Sequence, residues 1–362
     1  MVSKYTYVIK VEFNRRIPEC RYKDVHAKYI GCKGNTDLFH FTQKWFTITA
    51  DRQHKYVDGT ILTSSTNTLN SQLLKGLLFC YGLASDLPSI HNISIDLYSK
   101  GKLIHSYQEC KDFVQPLISN GHKNYRFSPQ QLELIFDATL KASAIRIALS
   151  YWLKAVDTNS SYQRFDCLWR SFGRIYLYNG NTKSDTTGQI KIRELLINNI
   201  ANIPTSISLA KQISLAEVES FRWRKLILHE YKTMNKMPAL KAFIERYTDG
   251  RIMKAMEDGI SVRVNYLLNY EKNNVKCDLW NPPIGIKNWL MNHFNDVNDI
   301  EIITIICIKY AYFLRNQYFH GEIPENTFKV KTSNEDNELE IINQLLECLI
   351  YELISHNKIL RD

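Results

Sequence analysis

Apolar and polar residues alternate with a period of two in several short runs over the first 110 positions: "KYTYVIKVEF", "KWFTITA", "YVDGTILTSS" and "ISIDLYSKGKLIHSY". Side chains on a strand point to opposite faces in turn, so this alternation predicts half-buried strands. Ser99-Lys100-Gly101-Lys102 divides the last run where a hairpin turn would divide two strands. One stretch, 68–83 ("TLNSQLLKGLLFCYGL"), has helical spacing instead. Strands interrupted by a helix predict a small α+β domain at the N-terminus.

The period changes at Ser128-Pro129, a serine in N-cap position before a proline in the first helical position. Helices are predicted from there over 129–155, 161–178, 190–199, 213–233, 237–246, 252–269, 284–294, 299–320 and 338–358, which makes the C-terminal two thirds an all-α bundle. The expected division is an α+β sensor or RNA-binding domain over 1–125, a helical connector over 126–160 and a helical bundle over 161–362. The helix 299–320 has the clearest limits. Asn298 followed by Glu301 predicts a capping box at its start, and Gly321 and Pro324 predict its end. Ile302, Ile303, Ile306, Tyr310, Phe313 and Leu314 form its apolar stripe, and its last turn runs into "YFLRNQYFHGE".

Composition narrows the class. Of 362 residues 44% are hydrophobic and 23% charged, as in ordinary globular proteins. "MVSKYTYVIKVEF" lacks the apolar core of a signal peptide, and no segment has about 18 uncharged apolar residues in a row, so a cytoplasmic protein without membrane contact is expected. Eight cysteines without a C-x-x-C pair signal neither a zinc site nor a disulfide framework. The net charge of +9 is uneven, with 17 Lys/Arg against 10 Asp/Glu in residues 1–126. Seven cations and three acids lie between Lys10 and Lys33, a density that suits phosphate and equally suits a solvated face.

Candidate chemistry gathers at 315–320. At 100° per residue Asn316 and His320 lie about 40° apart, and Arg315 about 140° from His320, an angle a long guanidinium stem can bridge. Arginine offers a planar, permanently charged fork for phosphate, and histidine a proton acceptor or donor near neutrality. Together they suffice to cut RNA without a metal: a base takes the ribose 2′-hydroxyl proton, the oxygen attacks the adjacent phosphorus, and fixed donors hold the developing charge. The plainer reading is that both residues only complement the last carbonyls of a helix. Arg21 to His26 and Arg224 to His229 repeat the spacing. P-loop, dinucleotide, H-E-x-x-H and G-x-S-x-G signatures are missing, and no cofactor or metal is expected.

"RNQYFHG" resembles the R-N-x-x-x-H signature of HEPN domains, helical modules of many toxin, antiviral and RNA-processing ribonucleases. "RFDCLWRSFGRIYLYNG" (164–180) is similar to the aromatic opening helix of one HEPN branch, with Phe165, Leu168, Trp169, Phe172 and Tyr176 as core positions. The resemblance covers about 160–360. It implies an HEPN-like bundle in which Arg315 and His320 are catalytic and Asn316 orients or binds the scissile phosphate. It also implies a homodimer with a composite site, RNA as substrate, a 2′,3′-cyclic phosphate product, and a role in prokaryotic antiviral defence or as a toxin. The alternative is a non-catalytic module that dimerises and holds RNA or a nucleotide. Glu322 stands where paired toxins of the family carry a tyrosine, so modification at that position is not implied. Gly173-Arg174 stands where the branch has Asn-Ala. Tyr318 is a candidate for stacking on a base, Glu322 for tuning His320, and Arg164, Arg170 and Arg174 for guiding RNA. A trigger ligand or partner would meet the N-terminal domain.

Overall fold

The computed structural model describes residues 4–20, 24–29, 36–110, 123–231, 233–271, 285–319 and 334–362. It has an N-terminal antiparallel sheet with short helices, followed by an all-helical region of about a dozen helices among the described residues. Two compact units divide the chain, Met1–Gly188 with Leu353–Asp362, and Gln189–Glu352.

Six strands build the sheet of the first unit: β1 (Tyr5–Phe13), β2 (Val25–Ala27), β3 (Asp37–Phe41), β4 (Trp45–Arg52), β5 (Ile90–Ser99) and β6 (Lys102–Cys110), in spatial order β2-β3-β4-β1-β5-β6. The predicted runs in 4–13, 44–50 and 93–107 are strands, and β2 and β3 are additional. Tyr7, Ile9, Val11 and Phe13 on β1 turn inward, as the period of two requires, and are covered from the helical side. Lys100 and Gly101 both have positive φ (50° and 75°), which joins β5 to β6 by the tight turn whose twist matches the strands.

"YVDGTILTSS" is not a strand. Asp58–Thr63 is a short helix in which only Ile61 is buried, and Val57 is 71% exposed. The alternation in this stretch had no sheet face to cover, and Asp58 suits the positive first turn of a helix. The helix Thr68–Leu83 stands where its spacing predicts it, capped by Asn67 accepting from the Leu69 N–H. The single helix expected over 129–155 is broken. Ser128 and Gln131 form the capping box of a short turn, Pro129–Leu132, and Glu133–Phe136 is a 3-10 turn. Leu140–Val156 then starts afresh on Thr139. The break inserts Phe136 among Phe39, Phe41 and Phe79, with ring centroids 5.2 to 5.9 Å away. Arg146 catches the carbonyls this exposes, donating to Ile135 O and Asp137 O at 2.7 Å each. Ser161–Asn179 buries Phe165, Leu168, Trp169, Phe172 and Tyr176, the core positions expected of it.

In the second unit two helices take their N-terminal caps from carboxylates distant in sequence, and a distant carboxylate braces the start of a third. Pro204–Gln212, which the spacing did not predict, is capped by Glu352, which accepts from the N–H groups of Thr205 (2.7 Å) and Ser206 (3.0 Å). Trp223–Glu230 is capped by Glu338, which accepts from the Arg222 N–H at 2.9 Å. Gly250–Glu271 follows Thr248 and Asp249, whose N–H groups donate to Glu301 at 2.6 and 2.9 Å. Glu301, Glu338 and Glu352 are all buried. Such a charge is tolerated inside a fold when N–H dipoles surround it.

The capping box predicted for Asn298 and Glu301 is therefore not formed. Asn298 makes no side-chain cap, and Glu301 reaches across to the other helix. Asp249 returns the favour by accepting the Asn298 N–H at 2.8 Å, while Arg251 bridges Asp249 and Asp299. Gly250 permits this closeness, since a Cβ there would lie 2.1 Å from Phe294 O. The expected helix 213–233 is likewise two, Leu215–Glu219 and Trp223–Glu230, because Phe221 and Trp223 both turn into the core between them.

Candidate functional site

The motif helix starts as Asp299–Thr304, widens to a π-helix over Ile305–Tyr310 and returns to α-geometry over Ala311–Phe319. The predicted stripe, Ile302, Ile303, Ile306, Tyr310, Phe313 and Leu314, is buried throughout. Ile305, Cys307 and Ile308 are buried as well, more apolar surface than one α-helical stripe holds. The π turn accommodates it: the Ala311 N–H reaches back five residues to Ile306 O. One extra residue rotates everything downstream by about 100° relative to an unbroken α-helix. The rotation decides which side of the bundle the last turn faces.

That turn carries Arg315, Asn316 and Tyr318, each half-buried, and Gln317, 1% exposed. Arg315 Nη1 donates to Asn316 Oδ1 at 3.0 Å. The contact brings the two motif residues together and fixes the amide, because its oxygen faces the guanidinium and its Nδ2 donors face away. His320 and Glu322 lie outside the described residues. Arg164, Arg170 and Arg174 belong to the other compact unit. There Arg170 is exposed, pairs with Asp166 at 2.9 Å and lies over the Tyr151 ring.

Sequence reasoning missed what anchors this helix. Tyr310, at the end of the π turn, donates its hydroxyl to Glu338 and accepts the Arg222 N–H at 2.9 Å. Arg222 also grips Glu338 through Nε and Nη2, at 3.1 and 3.0 Å. Phe221 stacks on the Tyr310 ring at 4.8 Å and Trp223 tilts against it at 4.9 Å. Burial raises the Glu338 carboxyl above its ordinary range against the pull of Arg222, and burial beside Glu338 pushes the Tyr310 phenol well up. This cluster fixes the motif helix to the helix Trp223–Glu230. Nothing local in the sequence pairs positions so far apart. His229 also rests on Phe313, with ring centroids 6.1 Å apart, and Lys309 pairs with Glu230.

No family model, curated protein or solved structure matches the chain.

The basic N-terminal stretch is seen in part. Lys10 pairs with Glu12 and lies over the Trp45 ring at 5.2 Å, and Glu12 is lowered chiefly by its bond to Lys10. Arg21, Lys23 and Lys33 fall outside the described residues. Cys20 and Cys80 are free, buried thiols with their sulfurs 3.6 Å apart, and burial holds Cys80 well above the ordinary thiol range. Among the described residues no three His, Cys, Asp or Glu side chains gather as a metal site would need. No described helix is long and apolar enough to cross a membrane.

Proposed function

We propose that this chain is a metal-independent endoribonuclease of single-stranded RNA, acting as a toxin or as an effector of prokaryotic antiviral defence. The observation that carries the reading is the Arg315–Asn316 contact on a half-buried last turn, which presents a guanidinium and an amide as adjoining donors. A guanidinium carries its charge at any physiological pH and can hold a phosphate through two parallel N–H groups.

In the proposed reaction His320 takes the proton of a ribose 2′-hydroxyl. The 2′-oxygen forms a bond to the adjacent phosphorus, and the bond from phosphorus to the 5′-oxygen breaks. Arg315 and the Nδ2 of Asn316 hold the non-bridging oxygens as charge builds there. The departing 5′-oxygen takes up a proton, and the products are a 2′,3′-cyclic phosphate and a 5′-hydroxyl end. The HEPN resemblance adds a second subunit whose motif faces the first, a natural source of that proton.

The test is incubation of the purified chain with single-stranded RNA in EDTA, alongside DNA of the same sequence. RNA is cut to cyclic-phosphate ends, DNA survives for want of a 2′-hydroxyl, and Arg315→Ala and His320→Ala stop the cleavage while remaining folded. Unaltered cleavage in both variants overturns the proposal. RNA that is bound and recovered intact favours the non-catalytic module instead.

A further inference from the structure

The helix Trp223–Glu230 packs on the motif helix through Tyr310 and Phe313, and its outer side is cationic. Trp223, Leu226 and Ile227 face the core. Arg222, Arg224, Lys225, Leu228 and His229 line an open groove of about 590 Å³. The charges there are differently placed. Glu338 answers Arg222, whereas among the described residues Arg224 meets only Asp258, at 3.9 Å, with both side chains mostly exposed (62% and 77%). An exposed pair so loose offers little competition to a stronger anion. Lys225 and His229 are exposed as well. Glu230, the one carboxylate of this helix, is engaged by Lys309.

The groove is held on a firm base. A Cβ at Gly259 would stand 3.0 Å from the Arg224 Cα, so the helix Gly250–Glu271 lies almost against the backbone of Trp223–Glu230. His229 rests on Phe313, two residues before Arg315. Cations on rigid backbone, an aliphatic side chain between them and an imidazole at the end form a surface suited to a sugar-phosphate chain. Charge holds the phosphates, and the apolar and ring surfaces receive the sugars and bases.

We infer that this groove grips the phosphate backbone of the single-stranded RNA that the motif cleaves, with Arg224 and Lys225 as the principal contacts and His229 leading the strand toward the motif helix. The inference rests on the ribonuclease reading for the identity of the strand. Its binding arm stands apart from cleavage.

The test uses the full chain carrying His320→Ala, so that RNA stays intact, with and without the pair Arg224→Glu and Lys225→Glu. Fluorescence anisotropy follows a labelled single-stranded oligoribonucleotide across salt, with a nucleoside monophosphate as competitor. The expected result is at least tenfold weaker binding in the paired variant. The slope of log affinity against log salt should become shallower by about 1.4, since each phosphate contact on a single strand accounts for about 0.7. The monophosphate should compete poorly, because one phosphate cannot span both cations; effective competition would mean a nucleotide site and overturn the strand. With His320 restored, the paired variant should raise KM for RNA more than it lowers kcat. Should charge reversal unfold the chain, Arg224→Gln with Lys225→Gln carries the same comparison. Equal affinity and slope in folded variants overturn the inference even where the parent cuts RNA. Groove-dependent binding by a chain that never cuts RNA overturns the ribonuclease reading and leaves the groove standing. Absence of RNA binding in the parent overturns the groove.

Discussion

The Tyr310 hydroxyl accepts the backbone N–H of Arg222 at 2.9 Å while donating its own proton to Glu338. One phenol thus closes the N-terminus of one helix and anchors the π turn of another. Tyr310→Phe keeps the ring contacts and removes only the oxygen. It leaves a buried carboxylate short of a donor, and a loss of about 1 to 3 kcal/mol is expected. Urea denaturation of the two proteins measures it. Because the Arg315 turn follows the π turn directly, RNA cleavage should fall more steeply than stability predicts.

Glu301 ties two helices together, and its variants should separate charge from hydrogen bonding. Glu301→Ala orphans the N–H groups of Thr248 and Asp249 and should cost about 2 to 6 kcal/mol, at about 1 to 3 per unmet group. Glu301→Gln keeps an acceptor and should cost less. Burial is the largest influence on the Glu301 carboxyl and raises it above its ordinary 4.5 despite the two N–H donors. Folding therefore disfavours its ionised form. As pH climbs from 4.5 toward the raised value, the unfolded chain loses this proton first and the contribution of Glu301 to stability declines. Glu301→Gln should lack that decline, which denaturation midpoints at a series of pH values would reveal.

Lys123 gives a pH dependence in a different window. Its ammonium is buried and donates to the carbonyls of Tyr81 and Gly82 at 2.6 and 2.7 Å, at the end of the helix Thr68–Leu83. Burial pushes it down to about 7, Arg126 adds to the depression and Glu19 opposes it. Between about 7 and the ordinary 10.5 the unfolded chain holds a proton that the folded chain has released, so stability rises with pH across this window. The gradient from one such group is about 1.4 kcal/mol per pH unit. Lys123→Met should remove this gradient from the denaturation profile.

How far the sequence specified the molecule depends on whether a signal was local. The hairpin at Lys100 and Gly101, the helix Thr68–Leu83, the aromatic face of Ser161–Asn179 and the apolar stripe below Arg315 all depend on neighbours within a few residues, and all were legible. Asp58–Thr63 was misread because five or six alternating residues satisfy a strand pattern whether or not a sheet face exists for them to cover. The helix Pro204–Gln212 was missed and Trp223–Glu230 was merged with its predecessor for another reason. Their caps come from Glu352 and Glu338, more than a hundred positions away, so no local N-cap residue marks their starts. At the candidate site, Arg315 and Asn316 were legible as adjacent donors. The π turn that aims them was not, since a run of isoleucines fits an ordinary helix equally well.

Asn316→Asp gives the sharpest test of the proposed phosphate site, since it changes charge with almost no change in shape. In the native pair Asn316 Oδ1 occupies one guanidinium nitrogen of Arg315 at 3.0 Å without neutralising it. A carboxylate in that position would bind the guanidinium more strongly, cancel its charge and exchange the Nδ2 donors for an acceptor that repels phosphate. Asn316→Ala removes one donor and should lower RNA cleavage about 10²-fold, the usual cost of losing one fixed donor to a transition-state oxyanion. Asn316→Asp should lower it further while melting at least as high as the native chain, because it gains an ion pair on a half-buried surface. Activity and stability then move in opposite directions, which a packing role for Asn316 would not produce. Cleavage at the native rate by Asn316→Asp would place the scissile phosphate somewhere other than beside Arg315.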